Sequence, residues 1–153
     1  MVNTTQWPSF EGEGLSSEKI VDSHLIVKDG VEYAGCHLIL DIWGAENLND
    51  IERIEQCFHQ CIEVAGATLL HIHLHHFNEG DGVSGVAVLA ESHISVHTWP
   101  EKSYAAFDVF MCGDTKPHKI IPILLETFNA KKHKLTEILR GNMSDMSAVS
   151  AVS

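Results

Sequence analysis

Alternation of apolar and polar residues is the dominant pattern of this chain between residues 36 and 111. Side chains of a β-strand point to opposite faces in turn, so this alternation predicts half-buried strands. It covers residues 36–43, 68–77, 83–89, 94–99 and 104–111, and a last strand is predicted over residues 133–140. Two earlier apolar runs, residues 20–27 and 31–33, flank Lys28-Asp29-Gly30 and predict a small hairpin.

Apolar residues spaced three and four positions apart predict two helices. The first spans residues 47–65, with Asn47 or Asn49 as its N-terminal cap and Gly66 as its C-terminal cap. The second starts near Pro117, a residue that suits a first helical turn, and continues to residue 130. Pro122 falls inside this pattern and should kink the helix or delay its start, because proline donates no backbone hydrogen bond.

The predicted element order is β-α-β-β-β-β-α-β. Helices set among runs of antiparallel-style strands indicate an α+β fold with the helices on one face of a mainly antiparallel sheet. Residues 1–34 are interpreted as an N-terminal arm or extension and residues 35–141 as the folded domain. Residues 142–153 are interpreted as a flexible, low-complexity tail with little to bury.

Composition narrows the class of protein. A length of 153 residues, with 44% hydrophobic and 20% charged residues, is typical of one soluble globular domain. The net charge of −11 argues against a nucleic-acid surface. No apolar run approaches the length of a membrane span, and the N-terminus lacks the features of a signal peptide. The four cysteines form no CxxC pair, so we expect reduced thiols in a cytoplasmic protein.

Residues capable of chemistry concentrate between Gly82 and Gly113, within the predicted strands. Taken singly, each would be an ordinary polar residue of a strand. Together they bring a hydroxyl, a carboxylate, two imidazoles and a thiol to close spacing, and such groups cluster at functional sites. The sequence therefore indicates a reactive site containing Ser84, Glu91, Ser92, His93, His97, Glu101 and Cys112.

A His-x-His-x-His pattern occupies the predicted strand over residues 68–77. His71, His73 and His75 would project from one face, a spacing that suits zinc or copper. No acidic or thiol partner is adjacent in sequence, so we assign no metal ligands and expect a structural or site-lining role. Cys57 and Cys61, one helical turn apart, are expected in the core.

The stretch from Gly82 to Gly113 resembles the processing site of the bacterial and archaeal S-adenosylmethionine decarboxylases, which are pyruvoyl-dependent, self-processing proenzymes. The resemblance rests on residues 82–85 (GVSG), 91–93 (ESH) and 97–101 (HTWPE), with Asp108 and Cys112-Gly113, and runs more weakly from about residue 35 to residue 141. It implies a two-layer α/β sandwich. It also implies a homodimer of cleaved protomers that pair sheet to sheet, with active sites near the interface.

Amino-acid decarboxylation requires an electron sink, which enzymes take from pyridoxal phosphate or from a protein-derived ketone. The matching stretch contains one lysine, Lys102, and no glycine-rich phosphate loop before a helix, which argues against pyridoxal phosphate. The resemblance implies cleavage between Glu91 and Ser92. The Ser92 hydroxyl would attack the preceding carbonyl, and elimination from the resulting ester would leave a pyruvoyl group derived from Ser92 as the cofactor.

The resemblance also implies roles for three further residues in processing and turnover. His97 matches the proton acceptor of processing, and an imidazole suits this role near neutral pH. Ser84 matches a serine that assists processing by hydrogen bonding. Cys112 matches the acid that protonates the decarboxylated carbon, and a protein can tune a thiol pKa towards neutrality.

Three residues match substrate-binding positions of the family. Glu101 would hold the ribose hydroxyls of the small-molecule substrate by charge-assisted hydrogen bonds, and Trp99 and Phe77 would sandwich its adenine. The family has a shorter, proline-containing segment where this chain has residues 78–81 (NEGD), and this departure affects the placement of Phe77.

The resemblance implies decarboxylation of S-adenosylmethionine, which produces the aminopropyl donor for spermidine and other polyamines. Two alternatives to this activity remain open. The same pyruvoyl machinery would decarboxylate ornithine or arginine if Asp81 or Glu79 placed an acidic group at the far end of the pocket. Alternatively, the chain is a non-catalytic, histidine-rich metal-binding or regulatory module on the same fold.

Overall fold

The computed structural model describes residues 24–145, which form a seven-stranded antiparallel sheet and two α-helices. Predictions for residues 1–23 and 146–153, which include most of the arm and of the tail, lie outside the described residues. The strands are β1 (Ile26–Lys28), β2 (Val31–Trp43), β3 (Leu69–His76), β4 (Val83–Leu89), β5 (Ser92–Trp99), β6 (Tyr104–Met111) and β7 (Lys132–Asn142); the helices are α1 (Ile51–Ala65) and α2 (Ile120–Thr127).

The strands lie in the order β1-β2-β6-β5-β4-β3, and β7 also pairs with β2. Tyr33 of β2 pairs with Ile26 of β1 and with Asn142 of β7, so these two strands flank β2 on opposite sides. The element order from β2 onwards and the α+β architecture confirm the sequence prediction. The predicted hairpin is present as β1 and the start of β2, which then runs unbroken through residue 34, where the arm was predicted to end.

Both helices are close to their predicted positions, with corrections at their N-terminal ends and at the C-terminal end of α2, which ends at Thr127 and not at residue 130. Helix α1 starts at Ile51, and its cap is Asp50, whose carboxylate accepts from the backbone N–H of Arg53 at 3.0 Å; Asn47 and Asn49 do not cap it. Gly66 ends the helix in a left-handed conformation with φ of 70°, as predicted. A 3-10 turn, Pro117–Lys119, precedes α2, so Pro122 lies in the first turn of α2, where no helical hydrogen bond is lost.

Burial divides the sheet into two unlike faces. One face packs against the two helices and forms the core, which includes Leu38, Leu40, Ile42, Ile94, Val96, Phe107 and Val109 of the strands with Ile54, Phe58 and Leu124 of the helices. The opposite face, here called the open face, carries residues 37, 39, 41, 43, 71, 73, 75, 84, 86, 88, 93, 95, 97, 99, 104, 106, 108 and 110. Each of these residues is at least partly exposed.

Both helices contribute to this one core, and neither resembles a membrane span. Within residues 24–145, no helix combines the length and the apolar character that crossing a bilayer requires.

Candidate active site

A tight turn at residues 90 and 91 joins β4 to β5, so that β5 begins at Ser92, two residues earlier than the alternation predicts. Glu91 has φ of 67°, in the left-handed region that residues with a Cβ occupy rarely. The backbone N–H of Ala90 donates to the carbonyl of Thr68 at 2.8 Å, which ties the turn to the segment before β3. The peptide bond between Glu91 and Ser92 therefore follows a strained residue in a fixed turn.

Cys112 connects the end of β6 to this turn. Its thiol donates to the carbonyl oxygen of Glu91 at 3.0 Å, and its sulfur lies 3.9 Å from the hydroxyl oxygen of Ser92. Ser92 is only 7% exposed. A hydroxyl, the carbonyl that precedes it in the chain, and a thiol that polarises this carbonyl thus lie within contact of one another. This arrangement suits attack of the hydroxyl on the carbonyl.

Ser84 and His97 form a second pair, on the open face. They are directly opposed in the β4–β5 register, and the Ser84 hydroxyl oxygen lies 2.8 Å from Nδ1 of His97. This hydrogen bond fixes the orientation of the imidazole and leaves its other nitrogen available for proton transfer. The structure therefore brings together Ser84 and His97, for both of which the resemblance implies a role in processing.

Two glycines and a threonine position this pair. A Cβ on Gly82 would overlap the carbonyl oxygen of Thr98, and one on Gly85 would overlap the carbonyl oxygen of His73. Glycine at these positions allows β4 to approach its neighbouring strands closely. The Thr98 hydroxyl accepts from the backbone N–H of Val83 at 2.8 Å and donates to a carbonyl of the segment before α1 at 2.7 Å. Ser84 is thereby held between rigid elements.

A cavity of about 420 Å³ opens beside this pair. It is lined by Phe77, Asp81, Gly82, Ser84, His97, Thr98, Trp99 and Glu101, which include all three predicted substrate-binding residues. Phe77 is 58% exposed and Trp99 is 42% exposed, which is unusual for large aromatic side chains. Asp81 and Glu101 give the cavity an acidic character that suits a cationic ligand. Glu79 is not among the lining residues.

The Ser92–Cys112 group and the Ser84–His97 pair do not meet within one chain. Ser92 and His97 are five residues apart on β5, so they point to opposite faces and are separated by about 17 Å along the strand. The sequence analysis predicts that these residues form one site. The structure divides them into two groups, one at the β4–β5 turn and one on the open face.

Sequence reasoning missed a partly buried hydrogen bond on the open face, between the neighbouring strands β2 and β6. The Tyr104 hydroxyl donates to the Asp41 carboxylate at 2.6 Å, and this bond raises the pKa of Tyr104 to about 12. The Tyr104 ring lies 5.2 Å from that of Trp99 and 5.7 Å from that of Trp43. These contacts hold Trp99 at the edge of the cavity, and no local sequence motif indicates them.

His24 is a second residue that sequence reasoning missed. Its Nδ1 contacts the Glu91 carboxylate, and its carbonyl accepts from the backbone N–H of Gly113 at 3.0 Å. The segment before β1 therefore contacts the β4–β5 turn on the N-terminal side of the Glu91–Ser92 bond.

The histidine pattern and the helical cysteines lie apart from these groups. His71, His73 and His75 are exposed on β3, on the open face, as the alternation predicts. Cys57 and Cys61 of α1 are 1% and 0% exposed, which confirms their place in the core.

Comparison with known proteins supports one family. The family model described as S-adenosylmethionine decarboxylase matches residues 36–141, a range that contains every candidate site residue. The chain is 38% identical over 112 residues to the S-adenosylmethionine decarboxylase proenzyme of Thermomicrobium roseum, covering 72% of this chain and 97% of the relative. It is 46% identical over 110 residues to the proenzyme of that name from Methanococcus maripaludis strain C7, covering 70% of this chain and 89% of the relative.

A solved structure supports the same family. The crystal structure of the adenosylmethionine decarboxylase from Aquifex aeolicus superimposes with a TM-score of 0.64 at 30% sequence identity, covering 70% of this chain and 90% of that chain. The likeness extends over nearly the whole of the solved chain. The fold and the sequence match therefore agree.

Proposed function

The chain belongs to the S-adenosylmethionine decarboxylase family, and from this premise we propose that it is a self-cleaving, pyruvoyl-dependent decarboxylase of S-adenosylmethionine. Its product would be the aminopropyl donor for spermidine and other polyamines. The observation that carries the proposal is the hydrogen bond from the Cys112 thiol to the Glu91 carbonyl, beside the Ser92 hydroxyl. All four cysteines are free thiols, which supports the expected reducing, cytoplasmic location.

Cleavage of the chain would begin at this turn. The Ser92 hydroxyl attacks the carbonyl carbon of Glu91, and the amide becomes an ester as the Ser92 nitrogen leaves that carbon and takes up the hydroxyl proton. The thiol hydrogen bond stabilises the negative charge that develops on the carbonyl oxygen. The left-handed conformation of Glu91 is strained, and such conformations cost about 1–3 kcal/mol. Rearrangement of the chain to the ester releases this strain.

Elimination would then separate the two chains. A base removes the Cα proton of Ser92, the C–O bond to the ester breaks, and Glu91 departs with a free carboxylate. Water replaces the nitrogen of residue 92, which leaves as ammonia, and a pyruvoyl group remains. His97, oriented by Ser84, is the proposed base, and loss of a general base slows a reaction by about 10²–10⁴-fold.

We propose that the base comes from a second copy of the chain. The separation of about 17 Å and the opposite faces argue against transfer within one chain. The open face supports pairing of two copies, because Val88 and Trp99 on it, and Ile138 of β7, which pairs with His37 of that face, are large, apolar and 40–42% exposed. In an isologous dimer, packed open face to open face, the Ser84–His97 pair of one protomer would reach Ser92 of its partner around the end of the sheet, because Ser92 is the first residue of β5 and lies at the β4–β5 turn.

The residues present fit a pyruvoyl group at position 92. Such a group supplies the electron sink that decarboxylation requires. Ser92 is buried, which excludes bulk water, and the Cys112 sulfur lies 3.9 Å from its side-chain oxygen. Cys112 is therefore the proposed acid that returns a proton to the substrate carbon after carbon dioxide leaves.

The cavity beside Ser84 and His97 is the proposed substrate site. Phe77 and Trp99 offer aromatic faces to adenine, and Glu101 offers a carboxylate to the two ribose hydroxyls. The sulfonium cation would be stabilised by the aromatic rings and by the acidic side chains that line the cavity. Asp81 also lines this cavity, so it is the residue through which ornithine or arginine would be recognised if the substrate were one of these.

Intact mass of the purified protein tests self-cleavage. We expect two chains of 91 and 62 residues, together the full 153, with the shorter one blocked to Edman sequencing by its terminal ketone. Ser92→Ala should remain a single chain. A folded wild-type protein that stays uncut after prolonged incubation would contradict the pyruvoyl mechanism and favour a non-catalytic module.

A further inference from the structure

A cavity of about 270 Å³ lies away from the proposed substrate site, where β1, β2 and β7 meet the 3-10 turn Pro117–Lys119. Cys36 of β2, His118 of the turn and Glu137 of β7 line it. The sulfur of Cys36, one ring nitrogen of His118 and one carboxylate oxygen of Glu137 all lie within 4.8 Å of one another. Among residues 24–145, this is the one group of three or more such donors that approach so closely.

We propose that Cys36, His118 and Glu137 bind a zinc ion. A thiolate, an imidazole and a carboxylate are the three donor types that protein zinc sites use, whereas magnesium and calcium prefer oxygen donors alone. Three protein ligands leave a fourth tetrahedral position for water, and the cavity provides space for it. The three donors come from three separate elements, so a bound ion would join β2, β7 and the turn.

The required rearrangement is small. Zinc–ligand bonds of about 2.0–2.3 Å place tetrahedral donors about 3.3–3.8 Å apart. Nε2 of His118 now lies 2.6 Å from a carboxylate oxygen of Glu137, so these two atoms must separate by about 1 Å to admit the ion. His118 is exposed, so its side chain can rotate, while Cys36 is only 5% exposed and provides a fixed donor.

Lys28 provides an internal competitor for the ion. Its Nζ donates to the other carboxylate oxygen of Glu137 at 2.9 Å. A cation in the cavity would be repelled by Lys28 and would compete with it for Glu137. Removing the Lys28 charge should therefore strengthen metal binding, an effect that a purely structural ion pair would not produce.

Cobalt(II) is the probe for this site, because a cobalt–thiolate bond gives a charge-transfer absorption band in the near ultraviolet that histidine-only sites lack. Untagged full-length protein, stripped of metal with a chelator, should bind one equivalent of Co²⁺ per chain with this band. One equivalent of Zn²⁺ should abolish the band by displacement. Lys28→Met, which keeps the aliphatic stem, should tighten binding by at least about threefold.

Two variants test the ligands Cys36 and His118, and two further variants are controls. Cys36→Ser should lose the charge-transfer band, and His118→Ala, a change at an exposed residue that leaves the core intact, should weaken binding at least about tenfold. His73→Ala and Cys112→Ser are matched controls and should retain the band. Absence of the band in wild-type protein, its survival in Cys36→Ser, or unchanged affinity in His118→Ala would each overturn the proposal. These measurements do not depend on chain cleavage, so they stand apart from the proposed enzymatic function.

Discussion

Ser92 and His97 lie on the same strand but on opposite faces of the sheet, five residues apart. Because each is required by the proposed cleavage, and because about 17 Å of strand separates them, we propose that a complete site combines residues of two chains. A composite site, formed by residues of two chains, predicts that two inactive variants complement each other in a mixed dimer. A site within one chain does not predict this.

Co-expression of Ser92→Ala with His97→Ala should restore cleavage. In the mixed dimer, one site combines an intact Ser92 from the His97→Ala chain with an intact His97 from the Ser92→Ala chain. Each variant alone should stay uncut or be cleaved about 10²–10⁴-fold more slowly. Mass spectrometry should find that the His97→Ala chain is the one cut. Pairing His97→Ala with a chain that carries both substitutions is the matched control, and equal cleavage in that control would contradict the composite site.

The alternation of apolar and polar residues was enough to predict the strands from β2 onwards and the face on which most of their side chains lie. Leu70, at an irregularity in the β3–β4 pairing, is an exception and is 64% exposed. The alternation would also have been enough to separate Ser92 from His97, since an odd spacing on one strand implies opposite faces. The predicted strand started at Ile94 and left Ser92 in the turn, so the opposite orientations of Ser92 and His97 did not follow from that prediction. The strand begins earlier because Ser92 pairs with Leu89 across the two-residue turn.

Contacts between segments that are distant in the chain could not be predicted from local sequence patterns. Asn47 and Asn49 are as good caps as Asp50 by residue type, and the path of the loop after β2 selects Asp50. Cys36, His118 and Glu137 are far apart in the chain, so no ligand spacing connects them. They meet because β7 pairs with β2 and because the turn before α2 packs beside both strands.

Cys112 should act in both cleavage and turnover, but to different extents. Cys112→Ser keeps a donor for the Glu91 carbonyl and should cleave at close to the wild-type rate. Cys112→Ala loses that hydrogen bond, which is worth about 0.5–1.5 kcal/mol, and should cleave up to about tenfold more slowly. Both cleaved variants should release carbon dioxide about 10²–10⁴-fold more slowly, because a hydroxyl is a poor acid and alanine is none.

Two assays separate these effects. Gel densitometry of freshly synthesised protein gives the cleavage rate, and release of labelled carbon dioxide from fully cleaved protein gives the turnover rate. Wild-type turnover in cleaved Cys112→Ala would show that another residue is the acid.

Tyr104 should titrate at unusually high pH. Its hydrogen bond to Asp41 raises its pKa to about 12, so the stabilising effect of this bond is fully present below about pH 10 and is lost as the pH rises through about 12. The chain has two tyrosines, so the phenolate absorbance of a Tyr33→Phe variant reports Tyr104 alone. Asp41→Asn in that background should move the midpoint down towards 10, whereas a midpoint already near 10 with Asp41 present would contradict the assignment.

We expect the residues around the cavity of about 420 Å³ to decide the substrate. S-adenosylmethionine needs aromatic faces for adenine and the sulfonium, each contact being worth about 0.5–2 kcal/mol, and a carboxylate for the ribose hydroxyls. Trp99→Ala and Glu101→Gln should therefore lower its kcat/KM by about 2–30-fold each, mainly through KM. Asp81→Asn, a change at another carboxylate of the same cavity, should have a smaller effect if the substrate is S-adenosylmethionine and a larger one if it is ornithine or arginine. Release of labelled carbon dioxide from the three carboxyl-labelled compounds by fully cleaved enzyme measures this directly. Faster release from ornithine or arginine, lost in Asp81→Asn, would overturn the substrate while leaving the cleavage chemistry in place.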